Sequence, residues 1–123
     1  MSMSKARSGG KILVSCLERM GVQNMFAFLG GANLPVGNAI HGSEHIKLWP
    51  GIHEQCVGHA AEGYAKMHNN KFPGVALVTS GPGLTNAITP LYNAKADGTP
   101  IILFSGQVPT SAIGTDAFQE CPA

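Results

Sequence analysis

Glu54 is the residue best placed for proton chemistry. It opens a helical pattern that runs from about Glu54 to His68, just after the bend at Pro50-Gly51. The next turns on its own side bring Gly58, Ala61 and Ala65, a smooth strip against which another backbone or a flat ligand can lie. A carboxyl group with so little polar cover is suited to holding and sharing a proton, because desolvation disfavours its charge. By spacing alone the simpler reading is preferred, a first-turn acid placed there by the helix dipole.

The other polar residues in the sequence carry less. His53-Glu54 is followed by His59, whereas two metal ligands on one helical face need a spacing of four, so a metal reading fails. His41 and His45 have that spacing, but Gly42 and Ser43 between them make a loop pair the better account, and His68 reads as helix-end solvation. Ser80 lacks the leading glycine of a nucleophile elbow and reads as a turn or capping residue. Gly81-Pro82-Gly83 resembles the start of a dinucleotide fingerprint, with Asn86 in the third glycine position. Either a helix N-terminus offers N–H groups to a ligand there, or the segment is a tight turn. At Gly30-Gly31 a turn and close approach of a ligand to bare backbone are both compatible readings. Phe118 and Gln119, in an aperiodic stretch, say nothing by themselves.

The elements that must position these residues alternate between helical and strand periods. An amphipathic helix is expected over Lys11–Met20, with Ile12, Leu13, Cys16, Leu17 and Met20 as its stripe and Gly21 as its stop. A strand over Asn24–Leu29, a helix over Leu34–His41 and an extended piece at Ile46–Trp49 precede the Glu54 helix. A β-branched strand over Gly74–Thr79 then turns at Ser80–Gly83 into a helix with the face Leu84, Ala87, Ile88 and Leu91. Pro90 leaves the Asn86 carbonyl without its N–H partner and should break that helix. A last strand is expected at Ile101–Ser105. This order predicts an α/β fold, a parallel sheet with helices on both faces. Ligands then bind beyond the carboxyl ends of the strands, where Gly30-Gly31, His53-Glu54, Ser80–Gly83 and Gly106-Gln107 converge.

Composition narrows the function classes. The 123 residues have room for one core, with 1–10 read as a flexible tail and 11–123 as a single domain. Eight basic against seven acidic residues, with no basic stripe, give no footprint for nucleic acid. No apolar run approaches the length of a membrane span, and no leader pattern is evident in the first ten residues. Cys16, Cys56 and Cys121 form neither a disulfide framework nor a zinc motif, which fits a reducing compartment. Only 12% of residues are charged, so more of the surface should be covered than in a free monomer, which calls for a partner subunit or further chain.

Phe28-Leu29-Gly30-Gly31-Ala32, His53-Glu54-Gln55 with His59–Ala65, Thr79–Gly83, and Gly106–Pro109 followed by Gly114–Glu120 together resemble the thiamine-diphosphate enzymes, and within them the acetolactate synthase catalytic subunits. The resemblance runs from about Gly10 to the end, and it implies that the chain is an incomplete pyrimidine-binding domain. It implies that Glu54 hydrogen-bonds the aminopyrimidine ring nitrogen and promotes the tautomer that activates the thiazolium carbon. Pyruvate then loses carbon dioxide, and the remaining unit adds to a second 2-oxo acid. It further implies that Gly30, Gly31, Ser80, Gly81, Pro82, Gly83 and Asn86 border the cofactor, and that Phe118 and Gln119 lie on the substrate and flavin side.

By the same resemblance the site is shared between subunits of a homo-oligomer, a regulatory subunit is a further partner, and the compartment is cytoplasmic for a bacterial source or mitochondrial for a fungal one. There are departures. Ile52 stands where a basic residue is usual, Leu29 where proline is common and Cys56 where glycine is common. The Gly-Asp-Gly motif that holds Mg2+ and the diphosphate does not occur, nor does the segment that helps bind FAD. The isolated chain is therefore expected to be inactive. Other thiamine-diphosphate decarboxylases or carboligases, and a non-catalytic interaction module, are the competing readings.

Overall fold

The computed structural model describes residues 7–121. Its elements in chain order are α1 (Gly9–Arg19), β1 (Asn24–Ala27), α2 (Leu34–His41), β2 (Lys47–Pro50), α3 (Glu54–Met67), β3 (Gly74–Val78), α4 (Pro82–Asn86), α5 (Ile88–Asp97) and β4 (Ile101–Ser105), with a 3-10 turn at Thr110–Ala112. The four strands form one sheet in the order β2-β1-β3-β4, and every pair is parallel. The α/β class and the sheet expected from the sequence are both present.

Because strand side chains alternate, each strand feeds two cores. Met25 and Ala27 of β1 and Val75 and Leu77 of β3 pack with Val14 and Leu17 of α1 and Ile40 of α2. On the opposite face, Ala76 and Val78 of β3 pack with Val57 and Ala61 of α3 and with Ala87, and Phe26 lies against them. β3 is buried along its whole length, as a central parallel strand must be. Among the described residues, no helix is long and apolar enough to cross a membrane.

Several local expectations are corrected. The helix α1 begins at Gly9, with Ser8 as its N-cap, so the expected tail over 1–10 reaches into the helix; residues 1–6 of it lie outside the described residues. Its buried residues are Gly10, Val14 and Leu17, with Leu13 half-buried beside them, whereas Ile12, Cys16 and Met20 are exposed. The run Ile12-Leu13-Val14 allows either phase, and the close approach of Gly10 to the Pro35 carbonyl selects one: a Cβ there would lie 2.6 Å from that oxygen. β1 stops at Ala27, because Asn33 takes over the following backbone: its Nδ2 donates to the Phe28 carbonyl at 3.1 Å and its Oδ1 accepts from the Gly30 N–H at 2.9 Å.

The helix after β3 does break, and it breaks at Ala87, between α4 and α5. Its buried face is Gly83, Ala87, Pro90 and Ala94, while Ile88 is 53% exposed, contrary to the expected face. Pro90 is buried because it fills the notch at Gly58, where a Cβ would come within 2.3 Å of its ring. The smooth strip of α3 is therefore occupied by protein: Gly58 takes Pro90, and Ala61 presses its carbonyl onto Gly74 at a distance that leaves no room for a Cβ.

α3 and the α4–α5 segment run side by side in the same direction, joined by four contacts one turn apart. Glu54 meets Asn86, Gly58 meets Pro90, Glu62 meets Asn93 and Lys66 meets Asp97. Glu62 is only 3% exposed and also bonds Lys66 at 2.6 Å and His59 at 3.0 Å. Its hydrogen bond from Lys66, first, and those from His59 and Asn93 hold its carboxyl below the usual range against the opposing effect of burial.

Substitution and acid both test this packing. Gly74→Ala should destabilise the chain by about 3 kcal/mol through overpacking against the α3 backbone. Gly63→Ala, in mid-helix with open space at its Cβ, should stabilise it by about 0.5–1 kcal/mol; urea unfolding midpoints measure both. Since the folded state lowers the Glu62 pKa from 4.5, the stabilisation is full above that value and is lost as pH falls through the folded-state value. Glu62→Gln should flatten the acid limb of a pH–stability curve below about pH 4.5 relative to the unmodified chain.

Candidate functional site

The carboxyl edge of the sheet gathers four segments: the loop after β1, the start of α3 after β2, the turn after β3 and the loop after β4. Backbone bonds continue the sheet pattern into them. Phe28 N–H donates to the Leu77 carbonyl at 3.0 Å, Gly51 N–H to Ala27 at 2.9 Å and Gly106 N–H to Val78 at 2.9 Å. The loops are thus extensions of a rigid sheet.

Glu54 is the first residue of α3 and is 6% exposed. The helix starts there because His53, in extended conformation, caps it: its Nδ1 accepts the Gln55 N–H at 3.1 Å. The histidine considered above as a metal ligand thus serves as an N-cap. Among the described residues, no three His, Cys, Asp or Glu side chains cluster to hold a metal ion.

Asn86 donates from Nδ2 to Glu54 Oε2 at 3.1 Å. The other oxygen, Oε1, lies beside Gly83, 3.1 Å from where a Cβ would stand. Gly83 also faces the Thr79 methyl, which would lie 2.7 Å from that Cβ, and Gly30 backs onto the same threonine, with Oγ1 2.5 Å from its own Cβ position. Gly30, Thr79, Gly83, Glu54 and Asn86 therefore form one contiguous set in which Gly30 packs on Thr79 and Gly83 lets its backbone approach both Thr79 and the buried carboxylate.

Other expected residues take varied places. Gly81 adopts φ +56°, and a Cβ on it would lie 2.6 Å from the Gln119 carbonyl, so Gln119 is drawn to this turn through its backbone. Ser80 is buried, and its carbonyl accepts the Gly83 N–H at 3.1 Å, while Pro82 has no N–H. With Thr85 N–H bonded to Gly81, the five-residue α4 is a closed turn, which removes the expectation of helix-end N–H groups aimed at a ligand. Gly31 has open space at its Cβ position. Phe118 is 87% exposed.

The loop carrying Phe118 and Gln119 is folded on itself. Gln107 Nε2 donates to the Cys121 carbonyl at 2.6 Å, and the Glu120 carboxylate accepts the N–H groups of Gly114 and Ala117. Those bonds, Gly114 first, hold the Glu120 carboxyl below its usual range. Sequence reasoning passed over Thr79 and Asn33. Thr79 has no signal beyond its place between glycine turns, but Asn33, three residues after Gly30, has the spacing of a side chain that bonds back to its own turn.

The chain's own cavities lie apart from this set. One of about 100 Å3, between Met20–Asn24 and Tyr64, His68 and Phe72, sits at the amino edge of the sheet. Glu54 lines none of them among those resolved.

What the residues fit is a flat group with a ring-nitrogen donor. A buried carboxylate with Oε2 held by Asn86 and Oε1 set against Gly83 offers one directional acceptor, and no lysine or arginine among the described residues bonds it to grip a phosphate.

Comparison with known proteins places the chain in a family. The family described as thiamine pyrophosphate enzyme, N-terminal TPP binding domain, matches residues 7–123. The chain is 54% identical over 113 residues, 92% of its length, to the acetolactate synthase catalytic subunit, mitochondrial, of Saccharomyces cerevisiae. It is 44% identical over 120 residues, 98% of its length, to the acetolactate synthase large subunit of Lactococcus lactis. It is 47% identical over 116 residues, 94% of its length, to acetolactate synthase 2, chloroplastic, of Nicotiana tabacum. It spans 16%, 20% and 17% of those relatives' lengths. By its fold, its motifs and this match, the chain belongs to the family of N-terminal TPP-binding domains of thiamine pyrophosphate enzymes.

Proposed function

We propose that this chain supplies the aminopyrimidine side of a thiamine diphosphate site in an acetolactate synthase, an enzyme joining pyruvate to a second 2-oxo acid on the way to branched-chain amino acids. The observation that carries the reading is the buried Glu54 carboxylate at the carboxyl edge of the sheet, with Oε2 held by Asn86 and Oε1 set against Gly83. When bound, thiamine diphosphate supplies the nucleophilic carbon and the electron sink that decarboxylation of a 2-oxo acid requires.

The chain's residues do the rest of what this half can do. Glu54 presents Oε1 to a ring nitrogen and shares a proton with it at that oxygen, while Asn86 fixes Oε2 so that the carboxylate cannot rotate away. Burial excludes water from the shared proton and strengthens the hydrogen bond. Gly81, Ser80 and Pro82 hold the turn that brings Gly83 to Glu54, and Gly31 leaves its side of the cleft open. Gln119, held against Gly81, and the exposed Phe118 belong to the substrate and flavin side.

Mg2+, the diphosphate and FAD are then held chiefly by segments other than this chain's described residues, so the site is completed by a second domain of a homo-oligomer. The names catalytic subunit and large subunit among the relatives support a regulatory subunit as a further partner, and the word mitochondrial in a fungal relative's name supports that compartment for a fungal source.

In the native enzyme, Glu54→Gln should lower acetolactate formation from pyruvate by about 10²-fold or more, the range of a lost acid–base group. Asn86→Ala should lower it by about tenfold, the loss of one hydrogen bond to a charged group. Product analysis by mass spectrometry measures both and tests the reading itself: acetolactate from pyruvate supports it. Acetaldehyde, acetate or no carboligation product overturns it.

A further inference from the structure

Resting on the reading that Glu54 faces a cofactor ring nitrogen, we propose that Glu62 is a positioning residue for that contact. Its bond with Asn93 sets the axial register of α3 on α5, and with it the place of Glu54 against Asn86.

Glu62 lies two turns below Glu54, about 12 Å along the helix, and touches nothing at the carboxyl edge. It is nevertheless the most heavily bonded carboxylate in the packed layer. His59 and Lys66 hold it from its own helix, and Asn93 alone reaches it from α5. The other contacts along this seam have little directional preference. Gly58 against Pro90 is a steric fit of a ring in a notch, with no hydrogen bond to fix its exact axial position. Lys66–Asp97 is directional but half-exposed on both sides, a pair of the kind that contributes little.

The break at Ala87 makes this matter. Asn86 lies on α4 and Asn93 on α5, so no continuous helix connects the partner of Glu54 to the partner of Glu62. The uninterrupted member is α3, fourteen residues long, which carries both carboxylates. A slide of α3 along its axis by about 1 Å, under one residue rise, would lengthen and tilt the 3.1 Å bond from Asn86 to Glu54 away from its best geometry. Fixing register is the best-attested use of a buried polar group, and Glu62 stands where register must be fixed.

The test reads the Asn86 side-chain amide in 1H–15N correlation spectra of the 123-residue chain, with Glu54→Ala defining the signal of an unpartnered Asn86. Glu62→Ala and Asn93→Ala should both move the Asn86 signals toward that reference. Glu62→Gln, whose carbonyl can still accept from Asn93, should leave them near their original place. In the native enzyme, Glu62→Ala should weaken thiamine diphosphate binding about fivefold, and its effect should be non-additive with Asn86→Ala.

Unmoved Asn86 signals in a variant that has merely lost thermal stability would overturn the proposal, as would simple additivity. If Glu62→Ala does not fold, Asn93→Ala, which leaves Glu62 both partners on its own helix, decides the matter alone. Cofactor affinity unchanged in Glu54→Ala would instead remove the cofactor reading, and the spectra of the chain would still settle whether Glu62 sets register.

Discussion

A carboxylate taken out of water must find hydrogen bonds or give up its charge, and one face of α3 poses that problem twice. Glu54 and Glu62 lie on the same stripe, both nearly inaccessible to solvent. Most of what is particular to this layer serves them. The break at Ala87 turns Asn86 and Pro90 toward α3, and the glycines at 58 and 83 let the helices close to hydrogen-bonding range. The sheet beneath supplies the stiffness, with β3 wholly buried and α3 pressed onto its first residue.

The parallel course of α3 and the α4–α5 segment is a consequence of topology. Each connects one parallel strand to another across the same face, so both start at the carboxyl edge and end at the amino edge. Two helix starts are thereby brought together where the strands end. That is why Glu54, at the first position of one helix, and Asn86, at the last position of the short helix beginning the other crossover, can meet. A parallel sheet does not create the site, but it makes a juxtaposition of loop and helix-start residues unavoidable at one edge.

Much of this was legible in the sequence. The strand Ile101–Ser105 and the helix Leu34–His41 appear with the bounds that periodicity and punctuation predict, and the break before Pro90 follows from its missing N–H. Glu54 was visible as a helix-opening acid above a strip of small residues. What periodicity could not decide was phase. Three consecutive apolar residues, Ile12-Leu13-Val14, satisfy two stripes equally, and the Gly10–Pro35 contact that chooses between them is set by another helix. The same holds for Ile88, apolar yet exposed because Pro90 and Ala87 take the inner face. Nor could spacing reveal that Thr79 would stand between two glycines. That depends on which backbones come within a Cβ's reach of one another.

The contrast between the two carboxylates is the strongest internal argument for where chemistry lies. Glu62 has three partners, two of them able to carry positive charge, and its carboxyl is held below the usual range by Lys66 first. Its bonding is complete, and nothing further can be offered to it. Glu54 is about as deeply buried, but Asn86 is the partner found for it, on one oxygen, and no cation accompanies it. Among the described residues Thr99 Oγ1 is the sealed side-chain atom without a partner, so Glu54 Oε1 keeps a path to the surface, whereas the neighbouring seam shows that this fold can surround a carboxylate completely. Two acids on one helix face, in the same layer, thus differ by environment: Glu62 is bonded on all sides by the packing, and Glu54 is the one that the proposed function assigns to a donor arriving with the ligand.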